Sequence, residues 1–545
     1  MRYISECFLK GSAAVFALLP LAVSAQTAGS PLAETASHRY IVIYRNGSIP
    51  EDAAGQARAA GARLIKLHPH FGAAIVASSV ASSVASSVAS SLASSVAPSV
   101  APSVASETGM LQTLRADPLV QSVVADRIVR GHALVVRNGD ALIPKPPAIR
   151  LQDANAAPQR TQTEASDDGD SYYTSPQGWA VRAVGGFGTG YAGGTMHGAW
   201  NTTLGTGVRI AVLDSGVDAS HPDIAPHLGL NLSEVDRMAL PSACDDGTPQ
   251  DQQGHGTWAA SLAAGAMGAG TGRVVGVAPG ATLLNIKVLQ RMPGTGSTLA
   301  QQCANGQAAG LLSWVMQGIE DAIAQKADVI SLSLGAMVDL YTGDGAGLKA
   351  SFDRVTHEAA AAGIVIVAAM GNDGFDFSNT RYAELPAQSR DVLAVVAATN
   401  AACAENIAAN ARCIAGEVTL PYYSNRGANL NAVAAPGGSY PNGDNTSVSG
   451  WIMGACSSGK PGTVDGLPQD SGHSMGCFAL GHTQYVQAMG TSASAPLVAG
   501  AAALVKSAHP AWDAARIASV LRGTATGEAR LPYGLVNAED ALKAQ

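Results

Sequence analysis

Between Tyr172 and the C-terminus, short apolar runs alternate with longer stretches of helical pattern. "VRIAVL" (208–213), "TLLNIKVL" (282–289), "DVISLSL" (328–334), "GIVIVAA" (363–369) and "VLAVVAA" (392–398) are largely apolar, as strands buried on both faces must be. Helical segments lie between them, among them "GLLSWVMQGIEDAIAQ" (310–325) and "ASFDRVTHEAAAA" (350–362). Such alternation predicts an α/β domain built on a doubly wound, mostly parallel sheet. Its ligand sites are expected beyond the carboxyl ends of the strands.

The residues before Tyr172 have a different texture. From His38 to Arg130 the pattern predicts a small α+β unit: a strand "RYIVIYR", a helix "EDAAGQARAAGARLIK" (51–66), a strand "FGAAIVA", a helix "ETGMLQTLRAD" and a last strand "VQSVVADRIV". A Val/Ala/Ser low-complexity run, Val76 to Ser106, interrupts it. Pro98 and Pro102 break any helix there, so the run reads as a tolerated loop insertion. Residues 132–171 are polar and aperiodic and read as a linker. The first 25 residues carry Arg2 and Lys10, an apolar run from Ala13 to Val23 and small residues at Val23-Ser24-Ala25, the pattern of an export signal.

Composition narrows the classes. With 47% hydrophobic and 14% charged residues the chain can bury a large core, and no later segment reaches about eighteen unbroken apolar residues. A net charge of −8 without a basic stripe argues against a nucleic-acid partner. Seven cysteines are present, and Cys7 falls in the presumed signal. The remaining six suit disulfides in an exported chain. Proximity favours Cys403 with Cys413 and Cys456 with Cys477, which leaves Cys244 and Cys303.

Three stretches fall where a parallel sheet would put chemistry. In "RIAVLDSGVD" a buried strand ends in Asp214, a carboxylate able to orient an imidazole. In "GHGTWAASLAAGA", His255 opens a small-residue helix between two glycines that allow close approach. In "AMGTSASAPLVAG", Ser492 stands at a helix start, where free N–H groups and the helix dipole favour a developing oxyanion. Each alone also reads blandly, as a strand-end turn, a structural histidine and an N-cap serine. Their order, Asp…His…Ser, is one of three known solutions to a single triad geometry.

Together with "GVAPGATLLNIKVL", "SLSLG", "AAMGND" and "AAPG", these motifs resemble the subtilisin-like serine proteases, the subtilases, over roughly Tyr172 to Gln545. The resemblance implies an Asp214–His255–Ser492 triad, an oxyanion-hole donor at Asn372, and Ser333, Leu334 and Gly335 as the segment whose backbone pairs with an extended protein or peptide substrate. It also implies a preference tilted to apolar side chains and no catalytic metal. Residues 26–131 resemble the family's inhibitory propeptide, a folding aid and inhibitor for residues 172–545, and thus imply a secreted zymogen. Asp223 resembles a calcium ligand of some members, but "GAGTGR" lacks the partner asparagine, so structural calcium stays unassigned. Trp258 stands where the family usually has histidine, and Met370 where it has alanine or glycine. A rival nucleophile, Ser474 in "GHSMG", fits the hydrolase elbow, but it lacks a preceding buried strand and an acid between it and the last histidine, His509.

Overall fold

The protein is described here as a computed structural model covering residues 35–79, 107–131, 150–151, 178–187, 198–268, 271–379, 381–400, 418–439, 451–457, 463–464, 467–468, 478, 484–527 and 531–544. The export-like segment, most of the Val/Ala/Ser run, most of the linker, Ser474, Cys403, Cys413 and Cys477 lie outside these residues.

The N-terminal unit comprises β1 (Thr35–Tyr44), α1 (Ala53–Ala59), β2 (Ala62–His68), β3 (Ala73–Ser78), α2 (Glu107–Ala116) and β4 (Val120–Gly131). The strands form an antiparallel sheet in the order β4-β1-β3-β2. One expectation is corrected: the helix read over 51–66 ends at Ala59, and its second half is strand β2. Gly61, at φ 85°, turns the chain after α1, and the free edge of β3 then pairs with Leu64 and Lys66. An Ala-rich pattern alone does not report the non-local edge that overrides it.

The larger part adds β5 (Arg209–Asp214), β6 (Leu228–Ser233), α3 (His255–Ala264), β7 (Thr282–Lys287), β8 (Gln307–Leu311), α4 (Leu312–Ala324), β9 (Val329–Leu332), β10 (Leu334–Asp339), α5 (Gly343–Ala361), β11 (Val365–Ala369), β12 (Tyr382–Leu385), β13 (Val392–Asn400), β14 (Ala432–Pro436) and α6 (Thr491–Ala508). The main sheet is parallel in the order β6-β7-β5-β9-β11-β13-β14. The five apolar runs all become strands of it. Successive side chains serve opposite faces: Ile210 and Val212 pack in the core containing α3 and α6, while Ala211 and Leu213 pack in the core containing α4 and α5. β6 and β14 escaped the sequence reading, the first because its edge position leaves "LGLNLS" mixed, the second because "AVAAP" is short.

β4 joins the two parts. Its end runs as a strand between β8 and β10, with Ala309 opposite Arg130, Gly310 opposite Val129, Leu334 opposite Gly131 and Gly335 opposite Arg130. The buried Asp126 on β4 accepts from the backbone N–H (3.1 Å) and hydroxyl (2.6 Å) of Ser313 in the first turn of α4, and also pairs with Arg39. A carboxylate satisfies the open N–H groups and the dipole of a helix start. His68 lies 2.9 Å from Glu320 of α4, and Phe71 meets Phe352 of α5 edge to face at 5.3 Å.

Cys244 and Cys303 form a disulfide, the pair left by elimination in the sequence. Cys456 is also disulfide-bonded, to a partner outside the described residues. The Cys244–Cys303 bond spans a sequence separation of 59. Cys303→Ser is therefore expected to cost about 4 kcal/mol of stability, by the loop-closure relation. A guanidinium midpoint unchanged from that of the parent would contradict it.

Candidate active site

The three carboxyl ends β5, β9 and β11 converge with two helix starts. Asp214 is the last residue of β5, His255 the first of α3 and Ser492 the second of α6, and all three are buried. Asp214 Oδ1 lies 2.7 Å from His255 Nδ1 and also accepts the Ser215 N–H at 2.7 Å. With Nδ1 held by a carboxylate, it is the donor, and Nε2 is the ring's basic atom. Nε2 has no hydrogen-bond partner among the described residues.

The Ser492 hydroxyl is turned elsewhere. It donates to the Ser333 carbonyl at 3.4 Å, and the Ser333 hydroxyl donates back to the Ser492 carbonyl at 3.1 Å. The structure thus brings Asp214 and His255 into contact, and places Ser492 on Ser333 rather than on His255 Nε2. Asn372 follows β11. Its Oδ1 accepts from the Thr491 N–H and Thr491 hydroxyl, each at 2.9 Å. Because a backbone N–H can only donate, this anchoring identifies the oxygen end and sets the direction of the Nδ2 amide.

Burial acts to lower the His255 pKa, but the charge of Asp214, its hydrogen bond and the charge of Asp251 together raise the value above the ordinary imidazole range. Asp251 was not singled out from the sequence. Fully buried, it accepts from the Ser215 hydroxyl, the Gln253, Gly254 and Thr257 N–H groups and the Thr257 hydroxyl, so it cradles the turn that presents His255. The available signal was the short polar run "DQQGHGT". Gly256 permits the cradle's close packing: a Cβ there would lie 2.1 Å from the Gly216 carbonyl oxygen.

Trp258 is fully buried, with its ring centroid 6.1 Å from that of His255, and both rings meet Phe478 at 6.3 Å. It is a packing wall behind the imidazole. Arg291, also buried, donates to the carbonyls of Gln252 (2.6 Å), Cys303 (2.5 Å) and Phe478. It ties the disulfide loop to the His255 turn, and burial pushes its pKa down to about 10.

Asp223 is fully buried. Its Oδ2 accepts from the Arg273 and Val274 N–H groups at 3.4 and 3.2 Å, and no group of three His, Cys, Asp or Glu residues converges among the described residues.

Against this geometry, the family model of the subtilases matches residues 205–539. The chain belongs to the subtilase family. An intracellular serine protease of Paenibacillus polymyxa is 35% identical over 36% of this chain and 51% of its own length. The chain thus matches about half of that relative. A subtilisin of Bacillus pumilus is 33% identical over 62% of this chain and 92% of its own length. The fold is shared with the subtilase-related fervidolysin of Fervidobacterium pennivorans, at 19% identity and a TM-score of 0.56, over 94% of this chain and 62% of the other. Among the described residues no helix is long and apolar enough to cross a membrane.

Proposed function

We propose that this subtilase is the precursor of a serine endopeptidase, with Asp214, His255 and Ser492 as its triad and residues 26–131 as its inhibitory propeptide. One observation carries the reading. The end of β4 occupies the lane between β8 and β10 in the manner of a bound peptide, and Gly131 lies against the His255 ring, where a Cβ would be 3.3 Å from Cε1. Pairing through backbone groups suits one groove to many sequences.

In the proposed reaction the Ser492 hydroxyl leaves the Ser333 carbonyl and gives its proton to His255 Nε2 as its oxygen attacks the substrate carbonyl. Asp214 keeps the proton on Nδ1 and stabilises the imidazolium. The tetrahedral oxyanion takes the Ser492 N–H and the Asn372 amide as donors. His255 then protonates the leaving amine, and the same histidine activates the water that releases the acid. Asn372→Ala is expected to lower turnover about 10²- to 10³-fold, the size found for the equivalent donor in a subtilisin, with KM nearly unchanged. An unaltered kcat would remove Asn372 from the oxyanion hole.

The Cys244–Cys303 disulfide and the signal-like start support secretion as a proposal, since such bonds persist in oxidising compartments. The test of the whole reading is labelling of Ser492 by a serine-directed phosphonate, together with casein hydrolysis by the purified chain. A correctly folded protein that neither labels nor digests casein is a binding scaffold instead.

A further inference from the structure

Three antiparallel neighbours, β4, β10 and β12, set side-chain directions around Ser492. Gly335 lies opposite Arg130, Leu334 opposite Gly131, and Met337 opposite Glu384. Paired residues project to one face, and successive residues alternate. Arg130, Gly335, Met337 and Glu384 therefore share a face, while Gly131, Leu334 and Leu385 share the other, which meets His255. A substrate that runs in the β4 lane one residue past the Gly131 position places that residue opposite Ser333, whose carbonyl accepts from the Ser492 hydroxyl. Its side chain falls on the Glu384 face.

That face lies beside a parting of the chain. β9 and β11 are parallel neighbours, with Leu332 beside Ala368, and the chain leaving them diverges. One branch becomes β10, and the other passes through Met370 to Asn372 and Asp373. Such a parting beyond the carboxyl ends is where open α/β sheets hold ligands. On the Glu384 face the only residue between Ser333 and Met337 is Gly335, which contributes no side chain. Glu384 itself is only 2% exposed. Burial first, and the charge of Asp373 second, push its carboxyl well above the usual range. A buried carboxyl group under the field of an exposed one is an arrangement whose ionised form a cation stabilises.

We propose that Glu384, assisted by Asp373, selects substrates with lysine or arginine at the residue whose carbonyl Ser492 attacks. This rests on the protease reading above and departs from the apolar preference that the family resemblance implies.

The test uses four peptide p-nitroanilides, identical except for a final Lys, Arg, Phe or Leu, with protein purified from the full chain. The parent is expected to favour Lys and Arg in kcat/KM by about tenfold or more, as a charge-assisted contact provides. Glu384→Gln, close in shape, should lower kcat/KM for Lys and Arg roughly 10- to 100-fold and leave Phe and Leu little changed. Asp373→Asn, at an exposed position, should erode the same ratio less, and it decides the matter if the buried variant folds poorly. A parent that prefers Phe or Leu, or variants that keep the parent's ratio, would overturn the assignment while the protease reading stands. If no substrate is cleaved and the phosphonate does not label Ser492, both fall together.

Discussion

Ser492→Ala is expected to lower kcat by about 10⁶-fold, the size measured for the nucleophile of a subtilisin, and to leave the folded chain intact. The side chain is fully buried and its hydroxyl donates one 3.4 Å bond to Ser333, so its loss removes a nucleophile and little packing. Two readouts follow. Casein hydrolysis should vanish, and the chain should stay uncleaved, with β4 still in its lane, whereas the parent is expected to shed its N-terminal unit. Shedding by the variant would assign the processing to another protease and leave casein hydrolysis to decide. An alanine variant that digests casein would transfer the nucleophile role away from Ser492.

Asp214→Asn is expected to cost about 10⁴-fold in kcat, because an amide holds the imidazole in the wrong tautomer. One oxygen, Oδ1, serves both the Ser215 N–H and His255 Nδ1, and an asparagine that turns its Nδ2 to the ring presents a donor where that acceptor stood. His255 Nδ1 then becomes the acceptor and Nε2 carries the ring's proton, with no lone pair left to take one from Ser492. A shift of the acid limb should accompany the loss. His255 must be neutral to act as base, so activity rises with pH through its pKa, which in the parent lies above the ordinary value. The substitution removes the charge and hydrogen bond of Asp214 that raise it and leaves burial, which lowers it, so the limb moves to lower pH. Stability follows the same linkage. With the folded pKa raised, the ion pair contributes fully below the unfolded value of about 6.5 and fades as pH climbs through the folded value. The difference in Tm between parent and variant should therefore be larger in acid than in alkali. A pH-independent difference would show that the pair does not titrate as described.

Part of this site was legible in one dimension. The apolar runs that became β5, β7, β9, β11 and β13 declare themselves because a strand covered on both faces has little use for polar residues. The placements of Asp214, His255 and Asn372 at element ends follow from where those runs and helices stop. Other features depend on partners far along the chain. β2 was read as helix because its pairing edge, β3, cannot be seen from "GARLIK". Trp258 reads as an odd substitution until Phe478, 220 positions away, closes beside it. Asp251 reads as a polar turn residue until Ser215 and Thr257 are seen to donate to it.

The residue types in the proposed triad, their order and the parallel sheet under them were legible in the sequence alone, since they rest on local hydrophobic pattern and on where it breaks. The tertiary structure decided what occupies the cleft, which hydroxyl partner Ser492 takes and which face carries Glu384. Those outcomes depend on strand register and side-chain direction between β4, β10 and β12, segments separated by hundreds of residues, and only the folded chain sets their register.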